Sequence, residues 1–165
     1  MSLARKSPKA RVRLPVRQAI LLAAVDRVAA RAKALGLVIE APLPQVLPAA
    51  RWDAVRISQL LANLLENSLR YTEAPGLLRL TARSLGAAIE IRLEDSPPGV
   101  PDEDLERLFD PLYRADPSRS RAFGGSGLGL AIARAIAQAH GGRLRAEPSP
   151  LGGLAMVLTL PLQAS

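Results

Sequence analysis

The sequence predicts an α+β fold, a two-layer sandwich in which a mixed, mostly antiparallel sheet packs on helices. Long stretches around residues 16–35, 55–69 and 131–139 repeat apolar residues at the three-and-four spacing of an amphipathic helix. Shorter runs at 37–40, 77–84, 88–94, 143–146 and 154–160 read as strands, with Gly and Pro turns between them. At 165 residues and 48% hydrophobic content, one domain with a substantial core is expected. Aromatic residues make up only 3%, so aliphatic side chains must fill that core.

Arg11 to Leu14 alternates basic and apolar residues like a short edge strand, and Pro15 closes it. From Val16 to Leu35, Ile20, Leu21, Ala24, Val25, Val28, Ala29 and Ala32 share helical spacing, and Gly36 supplies a C-cap. Leu37 to Glu40 is a brief strand before a crossing punctuated by Pro42, Pro44 and Pro48. Asp53 is placed to cap the next helix, whose stripe is Val55, Ile57, Leu60, Leu61, Leu64, Leu65 and Leu69. Pro75-Gly76 turns into the strands Leu77 to Ser84 and Ala88 to Glu94, the second of which delivers Asp95 at its exit. Ser96-Pro97-Pro98-Gly99 makes a rigid turn, and a short acidic helix is expected over Asp102 to Arg107. Phe109 to Tyr113 is compact, whereas Arg114 to Phe123 is polar and lacks periodicity, as in a mobile loop. An Ala-rich helix ends at His140-Gly141-Gly142, and the strands Arg143 to Ala146 and Leu154 to Leu160 close the chain around a turn at Pro148 to Gly153.

Composition narrows the function classes. The absence of cysteine excludes a disulfide, a thiolate metal site and a thiol nucleophile. Apolar runs are interrupted by Asp26, Arg27, Arg31 and Lys33, so no segment reads as membrane-spanning and a soluble piece is expected. The net charge of +7 raises nucleic acid as a partner, yet the arginines are scattered and lack the interleaved aromatics of a base-stacking surface. Only Arg5 and Lys6, with Lys9, Arg11 and Arg13, form a basic cluster, in a terminal stretch; 1–10 reads as a basic tail or appended segment and 11–165 as one domain.

The most informative stretch is Gly124-Gly125-Ser126-Gly127-Leu128-Gly129-Leu130 at the mouth of a helix. Glycines there let the backbone approach a ligand with several N–H groups turned toward it, where the helix dipole favours negative charge. Alone, such a run is more often a plain turn. Asn63 and Asn67 stand at i and i+4 on the second helix, with Arg70 and Tyr71 within a turn. Two amides on one face serve equally as core hydrogen-bonders, but with Arg70 they offer neutral oxygens for a hard cation and a charge for phosphate. Asp95 is either a turn-starting residue or a carboxylate at the bottom of an apolar pocket, where it would accept from an exocyclic amine.

These stretches, in this order, resemble the catalytic ATP-binding domain of sensor histidine kinases, within the wider family that includes gyrase, the Hsp90 chaperone and MutL. Asn63-Leu64-Leu65-Glu66-Asn67-Ser68-Leu69-Arg70-Tyr71-Thr72 looks like the N box and Asp95-Ser96-Pro97-Pro98-Gly99 like the G1 box. Phe109-Asp110-Pro111-Leu112-Tyr113-Arg114 looks like the F box and Gly125-Ser126-Gly127-Leu128-Gly129-Leu130 like the G2 box. The resemblance spans about Arg11 to Leu162 and implies the Bergerat ATP-binding fold. It implies that Asn67 coordinates Mg²⁺ bridging the phosphates of ATP, with Asn63 supporting that site and Arg70 contacting phosphate. Tyr71 would pack along the adenine, Asp95 would accept from its amino group, and Gly99 would leave room for a base-bound water. Arg114 would approach the γ-phosphate, the backbone from Gly125 through Ser126, Gly127 and Leu128 to Gly129 would hold the phosphates, and Arg114 to Phe123 would form the ATP lid.

The resemblance also separates branches of the family. ATP-hydrolysing relatives carry a general-base glutamate one helical turn before the metal-binding asparagine, and here that position is Asn63. Glu66 lies about 100° around the helix from Asn67, poorly placed to activate water. Transfer to a histidine needs positioning and charge neutralisation, because imidazole is itself the nucleophile. Ser96 and Pro97 depart from the G1 box, and Leu112 replaces the second aromatic of the F box; the chain is most similar to envelope-stress-type sensor kinases. Its one histidine, His140, lacks an acidic neighbour and reads as a helix cap, not a phosphoacceptor. The chain therefore reads as an excised, monomeric catalytic domain from the cytoplasmic part of an inner-membrane-anchored bacterial sensor. Its expected partners are the phosphoacceptor dimerisation domain of the same protein and, through the full-length protein, a response regulator. The rival readings are an ATP-binding interaction module without catalysis, an anti-sigma-type serine kinase of the same fold, and, more distantly, a basic nucleic-acid binder.

Overall fold

A computed structural model describes residues 16–115 and 124–163. Its elements are α1 (Val16–Ala34), β1 (Leu37–Glu40), α2 (Ala54–Tyr71), β2 (Gly76–Ser84), β3 (Ala88–Asp95), α3 (Gly129–Ala139), β4 (Arg143–Pro148) and β5 (Leu154–Pro161). Two 3-10 turns, Asp102–Asp104 and Arg107–Phe109, stand between β3 and α3. The five strands form one sheet in the order β1-β2-β3-β5-β4, with β1 parallel to β2 and every other pair antiparallel. This is the mixed, mostly antiparallel α+β sandwich expected.

Strand alternation sorts the two faces of the sheet. Leu78, Leu80 and Ala82 of β2, Ile89, Ile91 and Leu93 of β3, and Met156, Leu158 and Leu160 of β5 are buried. Most of them join Leu60, Leu61, Leu64 and Leu65 of α2 and Ala133, Ile136 and Ala137 of α3 in the main core. A smaller cluster, Ala32, Leu37, Leu69 and Leu78, ties α1 and β1 to the same layer. Several residues between them on the other face of β2 and β3 carry charge: Arg83 meets Glu90 at 2.8 Å, and Arg92 bridges Glu94 at 3.0 Å and Glu147 at 2.6 Å. Part of the arginine excess is thus paired across strands and presents less bare positive charge than composition implies.

Helix ends follow the sequence signals closely. The Asp53 side chain accepts from the backbone N–H groups of Val55 and Arg56 at 3.0 and 3.1 Å, and Gly36 takes the left-handed conformation after α1 with φ of 75°. The acidic helix expected over Asp102 to Arg107 is instead the pair of 3-10 turns. Six residues cannot offset the cost of helix nucleation, and burying Phe109 with Leu105 and Leu108 against the core sets the path of the chain. Helix α3 begins at Gly129, so the last glycine of the run is itself the first helical residue. The edge strand expected at Arg11 to Leu14, the basic tail and residues 116–123 of the expected lid lie outside the described residues.

Candidate active site

Between α2, the end of β3, the 3-10 turns and the glycine run lies a groove with two lobes, which share Asn67, Tyr71, Leu108, Tyr113, Arg114 and Leu130. The larger lobe, of about 320 Å³, is walled by Pro98, Val100, Leu108, Leu130 and Leu154, with Asp95 and Gly99 also lining it. β3 ends at Asp95, where the chain leaves the sheet and the side chain reaches the lobe. Asp95 is only 4% exposed. Its Oδ2 accepts from the Ser68 hydroxyl at 2.9 Å and its Oδ1 from the Leu154 backbone N–H at 2.7 Å. Burial nevertheless prevails over these donors and pushes the carboxyl up to about 6. A carboxylate so placed is a strong, directional acceptor at the bottom of an apolar slot.

The smaller lobe, of about 180 Å³, is polar and includes Asn63, Asn67, Arg70, Arg114 and the backbone of Gly124 to Gly127 with Gly129. The Asn63 amide donates to the Gly129 carbonyl at 3.0 Å, which fixes the start of α3 against α2. Arg114 donates to the Gly125 carbonyl at 2.5 Å, and the Gly127 carbonyl accepts from the Leu112 N–H at 2.9 Å. Gly125 sits at φ of 143°, where a Cβ would collide with Nη1 of Arg70. Only glycine lets the loop pass that close to the guanidinium. The open N-terminal turn of α3 and two arginines thus converge on one space, an arrangement suited to phosphate.

Glu66 and His140 are both committed elsewhere. Arg31 of α1 forks onto Glu66 with contacts of 2.7 and 2.8 Å, and Arg70 reaches the same carboxylate at 3.2 Å. The Arg31 hydrogen bonds hold Glu66 below the usual carboxylate range, which argues against its acting as a base for water. The buried His140 places Nδ1 2.8 Å from the Ile136 carbonyl, while its Nε2 accepts from the Asp53 N–H at 3.2 Å. It links the end of α3 to the start of α2, the capping role expected of it.

The structure gathers Asn63, Asn67, Arg70, Tyr71, Asp95, Gly99, Arg114, Gly125, Ser126, Gly127 and Gly129 around the groove. Leu128 lines neither lobe, and its side chain is partly exposed. At Gly99 a Cβ would meet the Gly153 carbonyl oxygen at 3.1 Å, so the turn beside β5 already requires a small residue there. Sequence reasoning missed Ser68, whose signal was a hydroxyl set in the apolar stripe four residues after Leu64. It also missed Tyr113, held by Asp104 at 2.5 Å with Arg107 stacked 4.3 Å from the ring centre. The Leu154 N–H is a backbone donor and has no signal in side-chain identity.

Residues 52–164 match the family described as histidine kinase-, DNA gyrase B-, and HSP90-like ATPase. The signal transduction histidine-protein kinase BaeS of Escherichia coli K12 is 49% identical over 111 residues, covering 67% of this chain and 24% of that protein. The sensor-like histidine kinase SenX3 of Mycobacterium tuberculosis H37Rv is 41% identical over 109 residues, 66% of this chain and 27% of that protein. The chain thus spans about a quarter of the length of these relatives. The catalytic domain of the histidine kinase ThkA superposes with a TM-score of 0.77 at 21% identity, covering 90% of this chain and 95% of that one. Full-length ShkA in complex with AMPPNP superposes at 0.78 with 25% identity, covering 97% of this chain and 33% of that one.

Proposed function

The chain belongs to the histidine kinase-, DNA gyrase B- and HSP90-like ATPase family, as an ATP-binding catalytic domain of sensor histidine kinases, and from that premise we propose that it transfers the γ-phosphoryl group of ATP to a histidine on a phosphoacceptor dimerisation domain of the same protein. The observation that carries this reading is a single groove with a buried carboxylate at its apolar end and two arginines, two amides and a glycine run at its polar end. Asp95 accepts from the adenine amino group, Tyr71 packs along the base, and Gly99 borders it. Arg70 and Arg114 neutralise phosphate charge, while backbone N–H groups from Gly125 to Gly129 cradle the chain of phosphates.

The donor set suits Mg²⁺. Among the described residues no cluster of three or more His, Asp or Glu side chains could hold a metal unaided. Asn67 supplies one neutral oxygen, which suffices where phosphate oxygens and waters complete the shell. Bound there, the ion would neutralise charge on the phosphates during transfer. Asn63 braces α3 against α2 and keeps the glycine run in register with Asn67. Glu66, held by two arginines, is poorly placed to activate water, which favours transfer to an incoming imidazole over hydrolysis.

Helix α1 and β1 precede residue 52 yet share the core with α2 and β2, which supports residues 11–165 as one catalytic unit. No described helix is long and apolar enough to cross a membrane. We read the chain as a monomeric cytoplasmic portion of a membrane-anchored sensor, acting on a response regulator through the full-length protein; the histidine kinase ThkA has been captured with the response regulator TrrA.

The test is calorimetric titration with Mg²⁺ and an ATP analogue, followed by incubation with ATP and a separately prepared phosphoacceptor domain. Binding that Asn67→Ala abolishes, with acid-labile label on the acceptor histidine, is the expected outcome. Unchanged affinity in Asn67→Ala sinks the metal assignment, and acid-stable label on serine overturns histidine transfer.

A further inference from the structure

Arg31 lines neither lobe of the groove. It stands near the end of α1 and presents two parallel hydrogen bonds, Nη1 to Oε2 and Nη2 to Oε1 of Glu66, the bidentate geometry that guanidinium and carboxylate prefer. Glu66 immediately precedes Asn67 and itself lines the polar lobe. Arg70, one turn further on, therefore finds the better geometry on Glu66 taken. It makes one longer contact, from Nη2 at 3.2 Å, while Nη1 faces Gly125. The guanidinium of Arg70 spans from the carboxylate to the glycine run.

We propose that Arg31 is a positioning residue for the phosphate end of the groove, saturating Glu66 so that Arg70 turns one edge toward the glycine run. The inference rests on the reading above that the groove takes ATP. Two physical effects combine. Without Arg31, Glu66 becomes the natural bidentate partner of Arg70 and draws both terminal nitrogens away from the loop. Without Arg31, the carboxylate at the wall of the polar lobe also loses one of its two counter-charges, and its negative charge opposes a polyphosphate. With Arg31 present, the three side chains carry a net single positive charge, and that charge lies at the groove. The Arg31 and Glu66 side chains are 53% and 35% exposed, so as a stability element alone the pair contributes little. A positioning role is thereby separable from a structural one.

The test measures affinity for adenosine, ADP and Mg²⁺-ATP in the unsubstituted chain, Arg31→Ala, Glu66→Gln and the double variant, with thermal melting as a check on folding. Arg31→Ala is expected to weaken ATP binding about tenfold, within the range of measured couplings in charge networks, and to leave adenosine within about twofold. Adding Glu66→Gln to Arg31→Ala is expected to restore most of the loss, because the neutral amide no longer repels phosphate or captures Arg70. An unaltered ATP affinity in Arg31→Ala, an equal loss for adenosine and ATP, or failure of Glu66→Gln to rescue would each overturn the proposal. Absence of ATP binding by the unsubstituted chain would overturn the nucleotide reading itself and this inference with it.

Discussion

Asp95→Asn is predicted to stabilise the ligand-free domain at neutral pH while weakening its hold on adenine. Burial raises the Asp95 carboxyl from the ordinary 3.8 to about 6. Between those values the folded chain binds more protons than the unfolded one, so stability falls as pH rises through the window. Below about 3.8 both states are protonated and the contribution vanishes; above about 6 the full cost is present. At about 1.4 kcal/mol per pH unit, the interval corresponds to about 3 kcal/mol. Asparagine resembles the protonated carboxyl: its oxygen can accept from the Leu154 N–H, and its amide can donate to a Ser68 hydroxyl turned to accept. Urea unfolding of both proteins from about pH 3 to 7.5 isolates the effect as their difference, near zero at about pH 3 and approaching about 3 kcal/mol at pH 7.5. Adenosine affinity is expected to fall at least tenfold in the variant, since it loses a charged acceptor. In the unsubstituted domain adenosine affinity should fall as pH drops below about 6, where the carboxyl takes up its proton. A stability difference that stays flat across the pH range, or a variant less stable at neutral pH, would refute the reasoning.

Ser68→Ala removes the donor to a buried carboxylate oxygen and should cost about 1–3 kcal/mol, read by urea unfolding, with a parallel loss of adenosine affinity. Gly125→Ala drives a methyl group into the Arg70 guanidinium at a backbone conformation that alanine rarely adopts; ATP affinity should drop about tenfold or more while the circular dichroism spectrum is retained. His140→Ala leaves the Asp53 N–H and the Ile136 carbonyl without their side-chain partner. It should lower stability by about 1–3 kcal/mol without abolishing phosphotransfer, and loss of all transfer in a folded His140→Ala protein would contradict its capping role.

Some of the architecture follows directly from local sequence. The Leu60, Leu61, Leu64 and Leu65 stripe cannot be buried except on one face of a helix, and Asp53 marks where that helix begins. The 3-10 turns after Pro101 were less legible, because a short acidic segment has too few residues to nucleate a helix and Phe109 settles it through a contact outside the segment. Asn63, Asn67 and Asp95 were recognisable as polar residues at special positions. Ser68 is not legible in this way, since a lone hydroxyl in an apolar stripe declares a burial problem without naming its partner.

By itself the sequence determined the period of each element, the order of the four motifs and the chemistry available at each. Periodicity, caps and glycine turns are local properties, carried by neighbours a few residues apart. Tertiary structure alone decided what those groups face. The elevated Asp95 carboxyl depends on burial and on donors from α2 and β5, and the Arg31–Glu66–Arg70 array depends on α1 crossing α2. Desolvation and long-range ion pairing arise between segments distant in the chain, and only packing brings such segments together.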